Sequence, residues 1–276
     1  MGEGHHAIKA TYRNFFGLQK EPFGSDLPIE EILLTRELSE VTQRFEYTLR
    51  IGGVGVLTGE IGSGKSTALR YASAKLHPAE YASLYLTATT GSILEIYRQI
   101  LTELGIEKSS TSKATLTGLI RQAVIELVEA KKMKVALIID EASLLRLEVF
   151  AELHTLCQFD KDSKPYLPLI LAGQSLLIDK LCYRDCAPLA SRVICRAHLQ
   201  GLDKDGMQQY LLHHLNLAGI KKPLFDETAI TAIHQGSGGL LRKANHIARG
   251  ALIAAAAEKC PTVSAEHVRI AATEVF

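Results

Sequence analysis

A glycine-rich segment carries the residue pattern that binds the phosphates of a nucleotide. In order, its residues are Gly59, Glu60, Ile61, Gly62, Ser63, Gly64, Lys65, Ser66 and Thr67. The spacing is G-x-x-x-x-G-K-[ST], in which flexible glycines let backbone N–H groups face phosphate oxygens. All nine are candidate nucleotide-binding residues, with Lys65 on the β- and γ-phosphates and Ser66 on Mg²⁺. A plain surface turn is the alternative, and the position between a predicted strand and a predicted helix argues against it.

Two acids follow the most apolar strand candidate of the chain. Val135–Ile139 is an uninterrupted apolar run, and Asp140 and Glu141 come directly after it. Ligands of open α/β sheets bind at the carboxyl ends of the strands. We expect Asp140 to bind Mg²⁺, directly or through its shell, and Glu141 to polarise the attacking water. Two solvated acids at the end of a strand are the alternative.

Three polar residues further along are candidates for the same chemistry. Gln174 follows the apolar run Leu169–Ala172 and could orient water or sense phosphate, or simply cap a helix. Arg192 precedes the last predicted core strand. In a ring of subunits it would stabilise phosphoryl charge across the interface, and we favour it over Arg196. Arg242 begins a predicted helix and could fold back on the γ-phosphate. For Arg192 and Arg242 the alternative is that each is an ordinary surface arginine.

The elements that must position these residues alternate between strands and helices. Short apolar strands are predicted at 54–58, 82–86, 135–139, 169–172 and 193–198, and helices at 35–50, 65–75, 93–104 and 116–130. Alternation of this kind predicts an α/β fold with a parallel sheet flanked by helices. From Gly201 onward only helices are predicted, with Asp226 and Ser264 as caps. We therefore expect an irregular segment at 1–35 near the nucleotide site, an α/β core at 36–200 and a small helical lid at 201–276.

Composition restricts the class of protein rather than its role. The chain has 276 residues, 47% hydrophobic and 22% charged, with a formal net charge of +1. We predict a cytoplasmic protein, because no apolar run is long enough to span a bilayer and the five cysteines are odd in number and scattered. Cys182 and Cys186 have the spacing of a metal pair, but no second pair accompanies them.

These features together resemble an AAA+ ATPase, and more closely the ExeA-type ATPases. The resemblance is carried by residues 15–18 and 21–23, by the phosphate-binding segment, by Asp140-Glu141-Ala142, by residues 169–174 and by Ser237-Gly238-Gly239. Where the family continues with Pro-Arg-x-x-Asn, this chain has Leu241 in place of the proline and keeps Arg242 and Asn245. The resemblance implies an AAA+ core with a helical lid that binds ATP and Mg²⁺ and hydrolyses ATP as an oligomer.

Two kinds of protein share this module. Longer ones are secretion-pathway proteins with a membrane segment. Short soluble ones are similar to transposition helper ATPases, related in role to the Mu B protein, which bind duplex DNA with ATP, form rings or filaments on it and stimulate a partner transposase. Because this chain ends after the predicted lid and carries no span, we favour the second kind, with no membrane partner. A secretion-assembly ATPase is the alternative.

The resemblance also suggests which residues would meet DNA. In such rings or filaments the segments after the second strand and after the following helix face the channel. The candidate contacts are Thr89, Thr90, Lys108, Thr111 and Lys113, whose hydroxyls and ammonium groups suit backbone phosphates rather than base edges. A polar solvated loop accounts for 108–113 equally well.

Overall fold

The computed structural model describes residues 12–107 and 110–273. These residues form two compact units. The core unit consists of Arg36–Glu60 and Lys65–Leu199. The C-terminal unit consists of the described residues up to Thr35, the segment Ile61–Gly64 and the described residues from Gln200 onward.

The core unit is built on a parallel sheet of five strands in the order β2-β3-β4-β1-β5. The strands are β1 (Val54–Gly59), β2 (Tyr81–Thr87), β3 (Lys134–Asp140), β4 (Leu169–Gly173) and β5 (Val193–Leu199). β1 and β4 are buried along their whole length, and β3 is buried from Val135 to Asp140. Continuous apolar runs are typical of strands that are covered on both faces. The predicted α/β fold with a parallel sheet flanked by helices is confirmed.

Helices connect the strands of the core unit. They are α1 (Arg36–Ile51), α2 (Lys65–Ala74), α3 (Ile93–Glu103), α4 (Lys113–Ile125), α5 (Leu147–Leu156), α6 (Leu176–Leu181) and α7 (Ala187–Ala190). The first four agree with the predicted helices, except that α4 starts earlier and ends in a π-helical turn over Glu126–Ala130. α5, α6 and α7 lie in a stretch where the sequence pattern predicts no helix.

Four helices make up most of the C-terminal unit: α8 (Lys204–Leu217), α9 (Glu227–Ser237), α10 (Leu241–Ala257) and α11 (Ala265–Thr273). Asp226 caps α9 as predicted, since its Oδ1 accepts from the N–H of Ala229 at 2.8 Å. Ser264 precedes α11, but its own N–H donates to Nδ1 of His267 at 2.9 Å, which is the returning half of a capping box.

The first described residues pack into this helical unit. Tyr12, Phe16, Leu18 and Phe23 are buried in one hydrophobic cluster with side chains of α8 to α11. The segment predicted to be irregular therefore contains a helical stretch at 12–16 and contributes to a core. Among the described residues, no helix combines the length and the apolar character that a bilayer crossing requires.

Candidate nucleotide site

The phosphate-binding segment forms a loop between β1 and α2. Gly62 and Gly64 have φ values of +83° and +99°, a backbone region that other residues adopt only with strain. The Nζ of Lys65 donates to the carbonyl oxygens of Gly59 and Glu60, each at 2.9 Å, so the first two carbonyls of the loop bind the ammonium group. We refer to Gly59–Ser66 as the phosphate loop.

The chemistry of this loop fits a magnesium nucleotide. Lys65 is 6% exposed and lies in the first turn of α2, where the helix N-terminus favours an anion. The hydroxyl of Ser63 is buried, and no group within the described residues hydrogen-bonds to it. Ser66, the candidate metal ligand, is an exposed residue. Thr67, at the next position, is half-buried.

Asp140 ends β3 at the same sheet edge, and its carboxylate is held on both oxygens. Oδ1 accepts from the N–H of Glu141 at 2.8 Å, and Oδ2 accepts from the hydroxyl of Tyr85 at 2.9 Å. The side chain is buried, with 4% of the residue exposed. Burial, together with the charge of Asp140, raises the pKa of Tyr85 well above its ordinary value, so the phenol remains a donor. No motif points to Tyr85, because its partner lies 55 residues away.

Glu141 occupies a strained backbone position. Its φ of +54° and ψ of +29° place a residue with a side chain in the left-handed region, which costs about 1 kcal/mol. A short 3₁₀ turn, Ala142–Leu144, follows directly. With this conformation the chain turns away from β3 at Glu141, the candidate catalytic residue. Strained positions of this kind concentrate at functional sites.

Two side chains that the sequence pattern does not indicate hold the turn after Glu141. The Nζ of Lys180, on α6, donates to the carbonyl oxygens of Ser143 and Leu145 at 2.6 and 2.7 Å. The hydroxyl of Ser143 accepts from the N–H of Gln174 at 3.3 Å. The structure therefore brings Gln174, at the end of β4, next to the turn that follows Glu141. A contact between Gln174 and phosphate stays a prediction.

Arg192 is bound within its own subunit. Its Nε donates to Nδ1 of His154 at 3.1 Å, and its guanidinium forms an ion pair with Asp162. Asp160, Lys161 and Asp162 all have positive φ values, so three strained residues in succession present this carboxylate. Burial and the charge of Arg192 lower the pKa of His154, which keeps its ring a neutral acceptor.

Arg242 lies in the first turn of α10, and its backbone N–H donates to the carbonyl oxygen of Gly62 at 3.2 Å. A Cβ added at Gly62 would come within 2.8 Å of the Arg242 Cβ, so glycine is required there for spacing as well as for φ. Asn245, the other residue kept from the family pattern, accepts from the hydroxyl of Tyr210 at 2.9 Å.

The predicted DNA-facing residues lie in two segments of the core unit. Thr90 is exposed and Thr89 half-buried, directly after β2. Thr111 and Lys113 are exposed at the start of α4, where Lys113 forms an ion pair with Glu152. Lys108 lies outside the described residues.

Side chains that could ligate a metal also occur away from the phosphate loop. Cys182 is exposed and Cys186 is buried, and both are free thiols. Glu258, Cys260 and His267 lie close enough to share an ion. However, Nδ1 of His267 already accepts from Ser264, which leaves the proton on Nε2, 3.2 Å from Glu258. This tautomer caps α11 and offers no lone pair to a metal.

Comparison with known proteins shows which family and which proteins the chain is similar to. Residues 50–181 match the family described as AAA domain. A curated relative, general secretion pathway protein A of Aeromonas hydrophila, is 32% identical over 267 residues, which are 96% of this chain and 48% of the relative. The chain thus spans about half the length of the curated relative that it matches.

Solved structures share the fold at low identity. Cdc6p from Pyrobaculum aerophilum has a TM-score of 0.69 at 16% identity, over 92% of this chain and 70% of that one. The Aeropyrum pernix ORC2 protein, solved with ADPNP and ADP, has a TM-score of 0.66 at 15% identity over 91% and 71%. The Aeropyrum pernix ORC1 protein in complex with DNA has a TM-score of 0.62 at 16% identity over 92% and 68%. Residues 50–181, which include the phosphate loop and the acid pair, therefore match an AAA domain, the chain as a whole is similar to general secretion pathway protein A, and its fold is shared with these solved structures.

Proposed function

We propose that the chain is an ATP-dependent, DNA-binding regulator of DNA transposition. In this role it binds ATP with Mg²⁺, forms a ring or filament on duplex DNA without sequence preference, selects a target and stimulates a partner transposase. ATP hydrolysis drives disassembly. Two findings agree with the DNA-binding part: the fold is shared with a protein solved in complex with DNA, and the segment after β2 is bonded to the acid pair.

The main support for the proposal is the second finding, the bonding between the segment after β2 and the acid pair. The N–H of Ala88, directly after β2, donates to the backbone carbonyl of Asp140 at 2.8 Å. Arg146, just beyond the turn after Glu141, donates from Nε to the carbonyl oxygen of Thr90 at 3.0 Å. The segment proposed to contact DNA is therefore bonded on both sides to the segment proposed to handle Mg²⁺ and water. A displacement of one segment must strain or break the bonds to the other.

The residues of the site divide the chemistry as follows. Lys65, with the backbone of the phosphate loop, holds the phosphates, and Ser66 and Asp140 hold Mg²⁺. The metal ion, when bound, neutralises phosphate charge. Glu141 accepts a proton from the attacking water, and Gln174 orients that water. The Nζ of Lys65 exchanges the carbonyls of Gly59 and Glu60 for phosphate oxygens.

Two arginines complete the proposed mechanism. Arg192 stabilises the transferred phosphoryl group of a neighbouring subunit, and to do so it must leave both Asp162 and His154. The Asp162 side of this ion pair is exposed, so contact with a neighbouring subunit can reach and displace it. Arg242 is proposed to sense the γ-phosphate, supported by its backbone bond to Gly62. We retain the division into residues 1–35 near the nucleotide, a core at 36–200 and a lid at 201–276.

The proposed DNA surface includes Thr89, Thr90, Lys108, Thr111 and Lys113. Exposed hydroxyls and ammonium groups bind phosphate oxygens without reading sequence. Because Lys113 is paired with Glu152, its contribution to DNA binding requires that the ion pair opens.

A second candidate function is assembly of a secretion apparatus. It is favoured by the relative named as a general secretion pathway protein, which is similar over almost the whole of this chain. In this case an envelope protein would take the place of DNA as the partner. Binding to duplex DNA distinguishes the two candidates.

The test measures binding to a labelled duplex of random sequence in the presence of ATP. Glu141→Gln removes the proposed base, so we expect it to stay on DNA while the wild type dissociates as ATP is consumed. Lys65→Ala, which cannot hold the phosphates, is expected to lose the nucleotide-dependent binding altogether. Binding should weaken steeply with salt, since phosphate contacts release counterions.

Glu129→Gln is the matched control, because Glu129 bonds only to Lys164 and Tyr166 among the described residues. If Glu141→Gln dissociates at the wild-type rate, Glu141 is not the base. If neither the wild type nor Glu141→Gln binds DNA at low salt, the secretion role is preferred.

A further inference from the structure

Tyr85 is the side chain that contacts the magnesium-binding carboxylate from a neighbouring strand. The parallel register pairs Tyr85 with Ile138 and Thr87 with Asp140, so Tyr85 lies one pleat before the position opposite Asp140. From there its hydroxyl reaches Oδ2 of Asp140 at 2.9 Å. Tyr85 is half-buried.

The second oxygen of Asp140 is held by the chain itself. Oδ1 accepts from the N–H of Glu141, a bond that depends on the left-handed conformation of Glu141. Rotation of the carboxylate about its last bond would break both hydrogen bonds. Two donors on two different oxygens therefore select one orientation and leave defined lone pairs for an incoming cation.

Metal-binding carboxylates in general depend on such supporting hydrogen bonds. Outer partners orient the ligand and reduce the entropy lost when the metal binds, and their removal typically costs about 10- to 100-fold in metal affinity or activity. A carboxylate that is 4% exposed has little access to water that could replace a lost donor. The tyrosine hydroxyl is then the only neighbour of Oδ2 for which the described residues show a hydrogen bond.

We propose that Tyr85 is a positioning residue that holds the Asp140 carboxylate in the orientation that binds Mg²⁺ together with the nucleotide. The inference rests on the assignment of Asp140 to Mg²⁺ in the proposed function. It extends that assignment to a residue of β2 that the phosphate-loop and acid-pair motifs do not include. It also gives β2 a role in metal affinity, separate from any contact with DNA.

The test compares Tyr85→Phe with Tyr81→Phe. Both changes remove one hydroxyl from β2, but Tyr81 lies at the other end of the strand, where its hydroxyl is 3.5 Å from Nζ of Lys134. The binding of a fluorescent ADP derivative is measured while Mg²⁺ is titrated, and again in EDTA. For Tyr85→Phe we expect half-saturation at about tenfold higher Mg²⁺, with binding in EDTA unchanged. Tyr81→Phe should match the wild type.

Asp140→Asn separates a failure of this inference from a failure of its premise. If Asp140→Asn leaves the Mg²⁺ dependence unchanged, Asp140 is not the metal ligand and both claims fall. If Asp140→Asn shifts it and Tyr85→Phe does not, only the role of Tyr85 is overturned. An equal shift in Tyr81→Phe would also overturn it, since the effect would then belong to the strand as a whole.

A measurement on the wild-type chain, with Asp140→Asn used only to assign the signal, covers the case in which Tyr85→Phe does not fold. Tyrosines labelled with ¹³C at Cζ give one resonance per phenol, and Tyr85 is the one that responds to Asp140→Asn. Adding Mg²⁺ to the ADP-bound wild type should move this resonance. Its failure to move would contradict the proposal.

Discussion

At the scale of single residues, a sequence pattern indicates candidate site residues when they lie close together in the chain. Lys65 and Ser66 lie in one loop, and Asp140 and Glu141 are adjacent, so residue type and spacing are enough to propose roles for them, and these roles stay predictions. Tyr85 and Lys180 act on segments that are far away in sequence. Their contacts depend on strand order and on a turn, neither of which a spacing pattern encodes.

Two of the predicted roles are less directly supported by the structure. The structure shows Arg192 paired with Asp162 inside its own subunit, whereas its proposed role requires a neighbour. The sequence could not indicate this pairing, because a strained loop delivers Asp162. The DNA contacts are also untested, and Lys108 lies outside the described residues.

A buried histidine gives a prediction about acid stability. His214 is 2% exposed, and among the described residues its Nε2 has no hydrogen-bond partner. Burial and, secondly, the nearby charge of His213 lower its pKa from 6.5 to about 4. The unfolded chain therefore binds more protons between these two pH values, and stability is lost as the pH falls from 6.5 towards 4. The loss amounts to about 3 kcal/mol.

Urea unfolding, followed by circular dichroism at a series of pH values, measures this loss. His214→Leu should flatten the pH dependence between 6.5 and about 4, since leucine has no charge to gain in the helical core. His246→Asn, at an exposed position of α10, should keep the wild-type slope. An unchanged slope in His214→Leu would show that other groups are responsible.

At the scale of elements, the strands were the most predictable part. β1, β3 and β4 are short, largely apolar runs, each followed by a polar residue, a pattern that is typical of strands covered on both faces. α5 was not predicted, although Val149, Phe150, Leu153 and Leu156 have helical spacing and are all buried in the structure. α6 and α7 are too short for periodicity to indicate them, and tertiary contacts determine their form.

The junction of β4 with the turn after Glu141 gives the element-scale prediction. A Cβ at Gly173 would lie 2.8 Å from the backbone nitrogen of Ser143. Gly173→Ala must therefore displace the turn that Lys180 and Gln174 hold. We expect the kcat of ATP hydrolysis to fall at least about tenfold, because small misplacements of catalytic groups are costly. Nucleotide binding should be little changed.

Gly118→Ala is the control, since a Cβ there meets no atom within 4 Å. It lies inside α4, where alanine is favoured over glycine by about 0.5–1 kcal/mol, so stability should rise and kcat should stay constant. Wild-type kcat in Gly173→Ala would mean that the turn does not position Glu141.

At the scale of the whole molecule, the two compact units differ from the division that the sequence predicts. The described residues before Thr35 pack with the C-terminal helices because their aromatic side chains complete that core. Ile61–Gly64 of the phosphate loop also belongs to this unit. Sequence patterns assign boundaries along the chain and cannot show that separate segments share one core. The proposed domain roles stay predictions.

The proposal that ATP and DNA together assemble this protein into oligomers can be examined by electron microscopy. Negatively stained protein is imaged with and without duplex DNA, each with and without a slowly hydrolysed ATP analogue. We expect rings or filaments on DNA only when the analogue is present, and none in Lys65→Ala. Assemblies that form with the analogue but ignore DNA, or no assemblies in any condition, would contradict the proposed function.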